Sequence, residues 1–172
     1  NNQLSAERRI SKLLKIKGVL RFISYEPATG PLRLDNIDVD NYDEEFCQIN
    51  ALTGRHTDMA RPCDDVPTLH WVIAGGESGS RASASNPEWF RKVRDDCKKA
   101  GVPFFFKQWG LWHPEADVQK KPGITYTVKR YPTDARFPNL NREPMIKMND
   151  KAFNRLDGEV WQQFPDPQKI KL

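Results

Sequence analysis

The sequence predicts an α/β fold built from parallel β/α units, with a long insertion and an irregular proline-rich tail. Three observations carry that prediction. Short β-rich runs occur at 19–25, 69–74 and 103–108, and one amphipathic helix separates the last two. The run at 69–74 is almost continuously apolar, which suits a parallel strand buried on both faces. It leads straight into Gly75-Gly76-Glu77-Ser78-Gly79, so strand, glycine-rich loop, helix and strand follow one another as a β-α-β crossover.

The first unit, residues 1–34, opens with a helix predicted over 5–15. Ser5 is its candidate cap, and Ile10, Leu13 and Leu14 fall on one face before Gly18 stops it. The strand at 19–25 closes at Glu26-Pro27, because proline donates nothing to a ladder and biases its predecessor to an extended conformation. Residues 35–68 hold Asp35, Asp38, Asp40, Asp43, Glu44 and Glu45. They read as an acidic insertion carrying short helical pieces, the kind of excursion that serves as a lid or binding loop.

Residues 69–110 form the β-α-β unit. Its helix is predicted to start at the cap Asn86, with Pro87 at the first helical position. It buries a stripe of Trp89, Phe90, Val93, Cys97 and Ala100, and it ends at Gly101 behind Lys98 and Lys99. The tail, 111–172, holds seven of the 13 prolines and has weak periodicity. It is expected to wrap the core through Phe153, Leu156, Val160, Trp161 and Phe164.

At 172 residues, with 38% hydrophobic residues and five Trp, the chain suits one domain or a domain fragment with a packed core. No apolar run approaches the roughly 20 residues of a membrane helix. Cys47, Cys63 and Cys97 are odd in number and scattered, which suits a reducing cytoplasm better than a disulfide scaffold. Residues 1–86 carry 10 Lys/Arg against 12 Asp/Glu, and residues 87–172 carry 17 against 11, so the second half is the basic one. That permits an anionic partner, nucleic acid included.

Polar groups converge where the strands end, which is where parallel α/β folds place ligands. The first strand delivers Glu26, the second Glu77 and Ser78, the third Lys107 and Gln108. Leaving such charges buried and unpaired costs several kcal/mol. Lys107 is therefore expected to face Glu26 or Glu77 across the mouth of the sheet, as a ligand site or as a salt bridge closing that end. The glycine loop reads either as a backbone nest or as a tight strand-to-helix turn. It matches neither a dinucleotide nor a Walker motif, and Glu77 suits amino or hydroxyl groups better than phosphate. His56, Asp58 and Cys63 match no zinc spacing, so no metal site is assigned. The loop also lacks the central serine of a nucleophile elbow. Runs at 107–112 and 126–131 interleave aromatic and basic residues, as a base-stacking surface or as core anchors.

Four ordered blocks carry a resemblance. They are Arg21-Phe22-Ile23-Ser24-Tyr25-Glu26-Pro27 with Gly30-Pro31-Leu32; Trp71-Val72-Ile73-Ala74-Gly75-Gly76-Glu77-Ser78-Gly79; Val102-Pro103-Phe104-Phe105-Phe106-Lys107-Gln108-Trp109-Gly110; and Leu156-Asp157-Gly158 with Trp161 and Pro165. Together, over roughly residues 4–165, they resemble the phage-borne three-cysteine-motif proteins, a radical-SAM-like family of poorly defined function.

The resemblance implies the carboxyl-terminal part of a TIM-type (β/α) barrel. It also implies an amino-terminal half, upstream or on another chain, whose three clustered cysteines hold a 4Fe-4S cluster that cleaves S-adenosylmethionine. Carried over as ligand-binding residues at the barrel mouth are Glu26, Gly75, Gly76, Glu77, Ser78, Lys107, Gln108 and Trp109; no catalytic residue is assigned. Cluster ligation does not carry over to the scattered cysteines, and Ser83 stands where the resemblance expects an arginine. The implied role is to contribute substrate or adenosyl contacts, with radical chemistry only when joined to the cysteine-bearing half and no cofactor bound alone. The implied setting is a phage or prophage protein in the cytoplasm of a bacterial host. The expectation from a different class is a small basic nucleic-acid-binding accessory protein of a phage, without catalysis, marked by salt-dependent affinity.

Overall fold

The computed structural model describes residues 3–40, 46–57, 67–130, 144–148, 154–168 and 170. Helix α1 spans Gln3–Leu14 and buries Ile10 and Leu14. It starts two residues before Ser5, which lies inside the helix rather than at its cap. Strand β1 is Phe22–Tyr25; β2 (Ile37–Asp40) and β3 (Phe46–Ile49) pair antiparallel. Then come β4 (Trp71–Gly75), α2 (Pro87–Ala100) and β5 (Phe104–Gln108). The tail adds β6 (Trp112–Pro114), β7 (Val128–Lys129), β8 (Met145–Lys147), β9 (Arg155–Leu156) and β10 (Glu159–Val160).

The expectation of a TIM-type α/β fold is overturned. Among the described residues there are two α-helices and four small sheets, and no barrel closes. The parallel sheet has three strands in the order β1-β4-β5, while the other three sheets are antiparallel. The reason lies in the connections. Parallel neighbours need a crossover, usually helical, and among the described residues only the β4-α2-β5 crossover carries a helix. Between β1 and β4 the chain makes the β2–β3 hairpin, and after β5 it turns back on itself antiparallel. Among the described residues of 35–68 the chain forms this hairpin and no helix, where short helical pieces were expected; residues 41–45 and 58–66 lie outside the described residues. The hairpin's period-2 alternation, Ile37-Asp38-Val39-Asp40, buries Ile37 against the core and leaves Asp38 exposed.

Helix α2 sets the core. The Asn86 side chain accepts from Glu88 N at 3.0 Å, Pro87 opens the helix, and Gly101 (φ 71°) ends it. Phe90, Val93 and Cys97 pack on the sheet face formed by Tyr25, Val72, Ala74, Phe104 and Phe106. Phe90, Phe106 and Trp109 form a mutual edge-on triad with centroids 5.0–5.2 Å apart, a geometry favoured by the ring quadrupoles. Burial pushes the Cys97 thiol up to about 12, with Asp96 adding to the shift.

The tail covers one sheet edge. Gln162 bridges Phe105 in antiparallel fashion, Phe106 N donates to Trp161 O at 2.6 Å, and Gln163 N donates to Phe104 O at 3.2 Å. Of the expected anchors, Leu156 is fully buried, Trp161 packs on Phe104, and Phe164, though exposed, sets its ring against Trp71 and Phe105, whereas Val160 is exposed. Phe153 lies outside the described residues. The β9–β10 turn is Asp157-Gly158, both at positive φ (56° and 78°), as a two-residue hairpin turn of the primed type requires. Among the described residues, no helix is long and apolar enough to cross a membrane.

Candidate functional site

The carboxyl ends of β1, β4 and β5 lie side by side, because the register pairs Tyr25 with Ala74 and Gly75 with Gln108. Glu26 follows the last residue of the edge strand β1, and the central strand β4 ends in Gly75 beside it. A Cβ at Gly75 would stand 3.1 Å from Glu26 Cδ, so the Glu26 carboxylate lies directly over the place where the central strand has no side chain. From there it reaches the third strand. Lys107 Nζ donates to Glu26 Oε2 at 3.0 Å, and Gln108 Nε2 donates to Glu26 Oε1 at 3.2 Å. Gln108 Nε2 also donates to Ser78 Oγ at 2.9 Å. One connected network therefore spans all three strand ends.

Of the two partners expected for Lys107, the structure supplies Glu26. Glu77 is turned into its own loop, where Oε2 accepts from Ser83 N at 2.8 Å. The Glu26 side chain is 18% exposed and that of Lys107 54% exposed, so the carboxylate is sheltered while the ammonium faces solvent. A carboxylate accepts about four hydrogen bonds and an ammonium donates three. Two protein donors on Glu26 and one acceptor on Lys107 leave both groups able to take further partners.

Two glycines on adjacent loops explain much of the remaining motif. A Cβ at Gly76 would lie 1.9 Å from Trp109 O, and one at Gly110 (φ 79°) would lie 2.1 Å from Glu77 O. Both contacts are with backbone, so only glycine lets the loops cross. Gly76 N donates to Gln108 O at 2.9 Å and Leu111 N to Glu77 O at 3.0 Å, which locks the crossing. Gly76 and Gly110 thus serve a loop-to-loop approach.

Trp109, carried over as a mouth residue, does not join the network. Its ring is buried against Phe90 and Phe106, and Nε1 donates to Arg155 O at 2.7 Å. Trp112 Nε1 donates to Ala82 O at 2.8 Å, so neither tryptophan of the 107–112 run is an open stacking ring. The loops are tied together separately: Ala28 N donates to Gly75 O at 3.0 Å, and the buried Ser85 Oγ donates to Ala28 O at 2.6 Å.

Two residues stand in the motif blocks but were given no role there. Arg21 is 4% exposed, and its guanidinium donates to Thr68 O and Ile16 O, both at 2.9 Å, clamping the start of β1. The signal was a charge heading an apolar strand. Asp157 binds Arg91 (Nη2 to Oδ1 2.7 Å) and Arg94, tying the β9–β10 turn to α2. Burial raises its carboxyl, but the two guanidiniums outweigh that and hold it below the usual carboxylate range. The Asp-Gly pair was the signal there.

Among the described residues, no group of three His, Cys, Asp or Glu is placed to hold a metal ion. His56 pairs in a bridge with Ile49, while Asp58 and Cys63 lie outside the described residues.

No curated protein and no solved structure matches the chain. A family model does match, over residues 1–165, and it takes in every block that builds the strand-end network. The chain belongs to the family described as "Protein of unknown function (DUF5131)".

Proposed function

We propose that this chain supplies the ligand-contacting part of a phage-borne, radical-SAM-like protein of the three-cysteine-motif kind. It binds an amine- and hydroxyl-bearing small molecule, S-adenosylmethionine or the substrate that reacts with its radical, at the ends of β1, β4 and β5. The observation that carries this reading is the sheltered Glu26 carboxylate held between Lys107 and Gln108 over Gly75. Glu26 accepts from a ligand amine or ribose hydroxyl, Lys107 donates to a ligand carboxylate, and Ser78 offers a hydroxyl at the rim.

The described residues do not fit an iron–sulfur cluster. Such a cluster needs convergent thiolates, and Cys97 is a buried, protonated thiol on the core face of α2. Cluster chemistry therefore belongs to a cysteine-bearing half or partner chain, and no step of it runs through this one. Isothermal titration with S-adenosylmethionine tests the reading. The wild type is expected to bind, with Glu26→Gln and Lys107→Met each at least tenfold weaker and unchanged in thermal midpoint. Equal binding by all three proteins, or none by the wild type, contradicts it.

A second reading, nucleic-acid binding without catalysis, draws on one feature. Lys120, Lys121, Lys129 and Arg130 are exposed around Tyr126, whose hydroxyl accepts from Lys121 N at 3.0 Å. Affinity for single-stranded oligonucleotides that falls steeply with salt supports this reading, and salt-independent or absent binding removes it.

A further inference from the structure

The two edges of the parallel sheet are treated differently. The tail covers β5, whereas β1 has no strand on its outer side among the described residues. His70 N donates to Arg21 O, so the backbone groups of Arg21 face β4. By the alternation of a strand, those of Phe22 and Ser24 face outward. An open edge of this kind is a template for pairing with another chain.

Beside that edge lies a cleft of ≈ 270 Å³ between α1 and β1. Its walls include Ala6, Leu13, Phe22, Ile23 and Pro31, with Arg9 at the α1 side. The cleft follows the full length of β1, since all four of its residues line it. The chain leading into the strand is apolar and solvent-facing: Ile16 is 50% exposed, Leu20 40% and Phe22 47%. The exposed charge on and just after α1 is mostly positive. Arg8, Arg9, Lys12, Lys15 and Lys17 are all exposed, against the single acid Glu7.

We propose that the β1 edge and the α1–β1 cleft form a docking groove for an extended, apolar and acid-bearing segment of another polypeptide. The segment pairs with the outward backbone groups of Phe22 and Ser24. One of its apolar side chains fills the cleft, and its carboxylates meet Arg9 and the cations of α1. This is recognition by strand addition, in which main-chain hydrogen bonds give affinity and side-chain pockets at alternate positions give specificity. The charge complementarity selects an acidic partner over a second copy of this chain, whose corresponding edge carries the same cations. The inference does not rest on the ligand site at the strand ends.

The test is to pan the whole chain against a displayed library of random twelve-residue peptides, then measure the synthesised consensus by fluorescence polarisation. The expected consensus alternates apolar residues with Asp or Glu. Ser24→Pro, which removes an outward-facing N–H, and Arg9→Glu are each expected to weaken binding at least tenfold, with Glu26→Gln unchanged. A consensus peptide with lysine in place of its acids is expected to recover binding to Arg9→Glu, which a merely misfolded variant would not show. The proposal is overturned if no peptide is enriched, if the consensus lacks the alternation or the acids, or if binding ignores both variants. Sedimentation showing a dimer that Ser24→Pro dissolves assigns the edge to a second copy and overturns it as well.

Discussion

The Glu26 carboxyl group packs directly over Gly75, its Cδ only 3.1 Å from where an ideal Cβ on that glycine would stand. A group from the edge strand can thereby bond the far strand across the central one. Any side chain at Gly75 acts on the network without touching Lys107 or Gln108. Gly75→Ala asks the carboxylate to shift by a few tenths of an ångström, and Gly75→Val demands more. The expected result is a graded loss of S-adenosylmethionine affinity, small for Ala and at least tenfold for Val, measured by isothermal titration.

Gly76 and Gly110 behave differently, because their obstacles are backbone. With a Cβ only 1.9 or 2.1 Å from a carbonyl oxygen, no side chain can rotate away to make room. Gly76→Ala and Gly110→Ala are each expected to cost about 3 kcal/mol, the upper end of overpacking penalties. Urea denaturation checks this. A change below about 0.5 kcal/mol contradicts the loop crossing.

How much of this was legible follows from the range of each signal. The cap Asn86, the opening Pro87 and the stop Gly101 are local, and α2 forms where they place it. The convergence of Glu26, Lys107 and Gln108 was legible because the strand ends bring them together. Which acid Lys107 takes was not, since Ser83 N competes for Glu77 and that bond depends on the loop's path. The barrel was inferred from three strands and a resemblance, yet closure depends on connections that motif blocks do not encode. The packing of the Trp109 ring on Phe90 was not legible for a related reason: a tryptophan after a polar strand end reads as a mouth residue.

Asp157 links stability to pH. Its folded pKa lies below the ordinary range of an aspartate, so the unfolded state takes up the proton first as pH falls. The stabilisation is complete above that range and is lost as pH drops through the folded pKa. Asp157→Asn keeps a residue that tolerates positive φ and removes the charge that Arg91 and Arg94 bind. The carboxylate is more than a third exposed, and solvent screening limits the cost at pH 7 to about 1 kcal/mol. Denaturation curves of the two proteins are expected to differ at pH 7 and to converge near pH 2. A constant difference across that range contradicts the assignment.

Cys97 offers a probe of the core. A thiol pushed up to about 12 and fully buried holds almost no thiolate at pH 8. Alkylation by iodoacetamide, followed by peptide mass analysis of the segment around Cys97, is expected to be slow in the native protein and fast in urea. Equal rates contradict burial on the core face of α2.

The central claim is that the three strand ends form one ligand site. Its most direct measurement is an NMR titration of the labelled protein with S-adenosylmethionine, following backbone amides and the side-chain amide of Gln108. The account predicts shifts confined to residues near Glu26, Gly75, Ser78, Lys107 and Gln108, with none in α1. Shifts that map to the α1–β1 cleft, or an unchanged spectrum at millimolar ligand, contradict it.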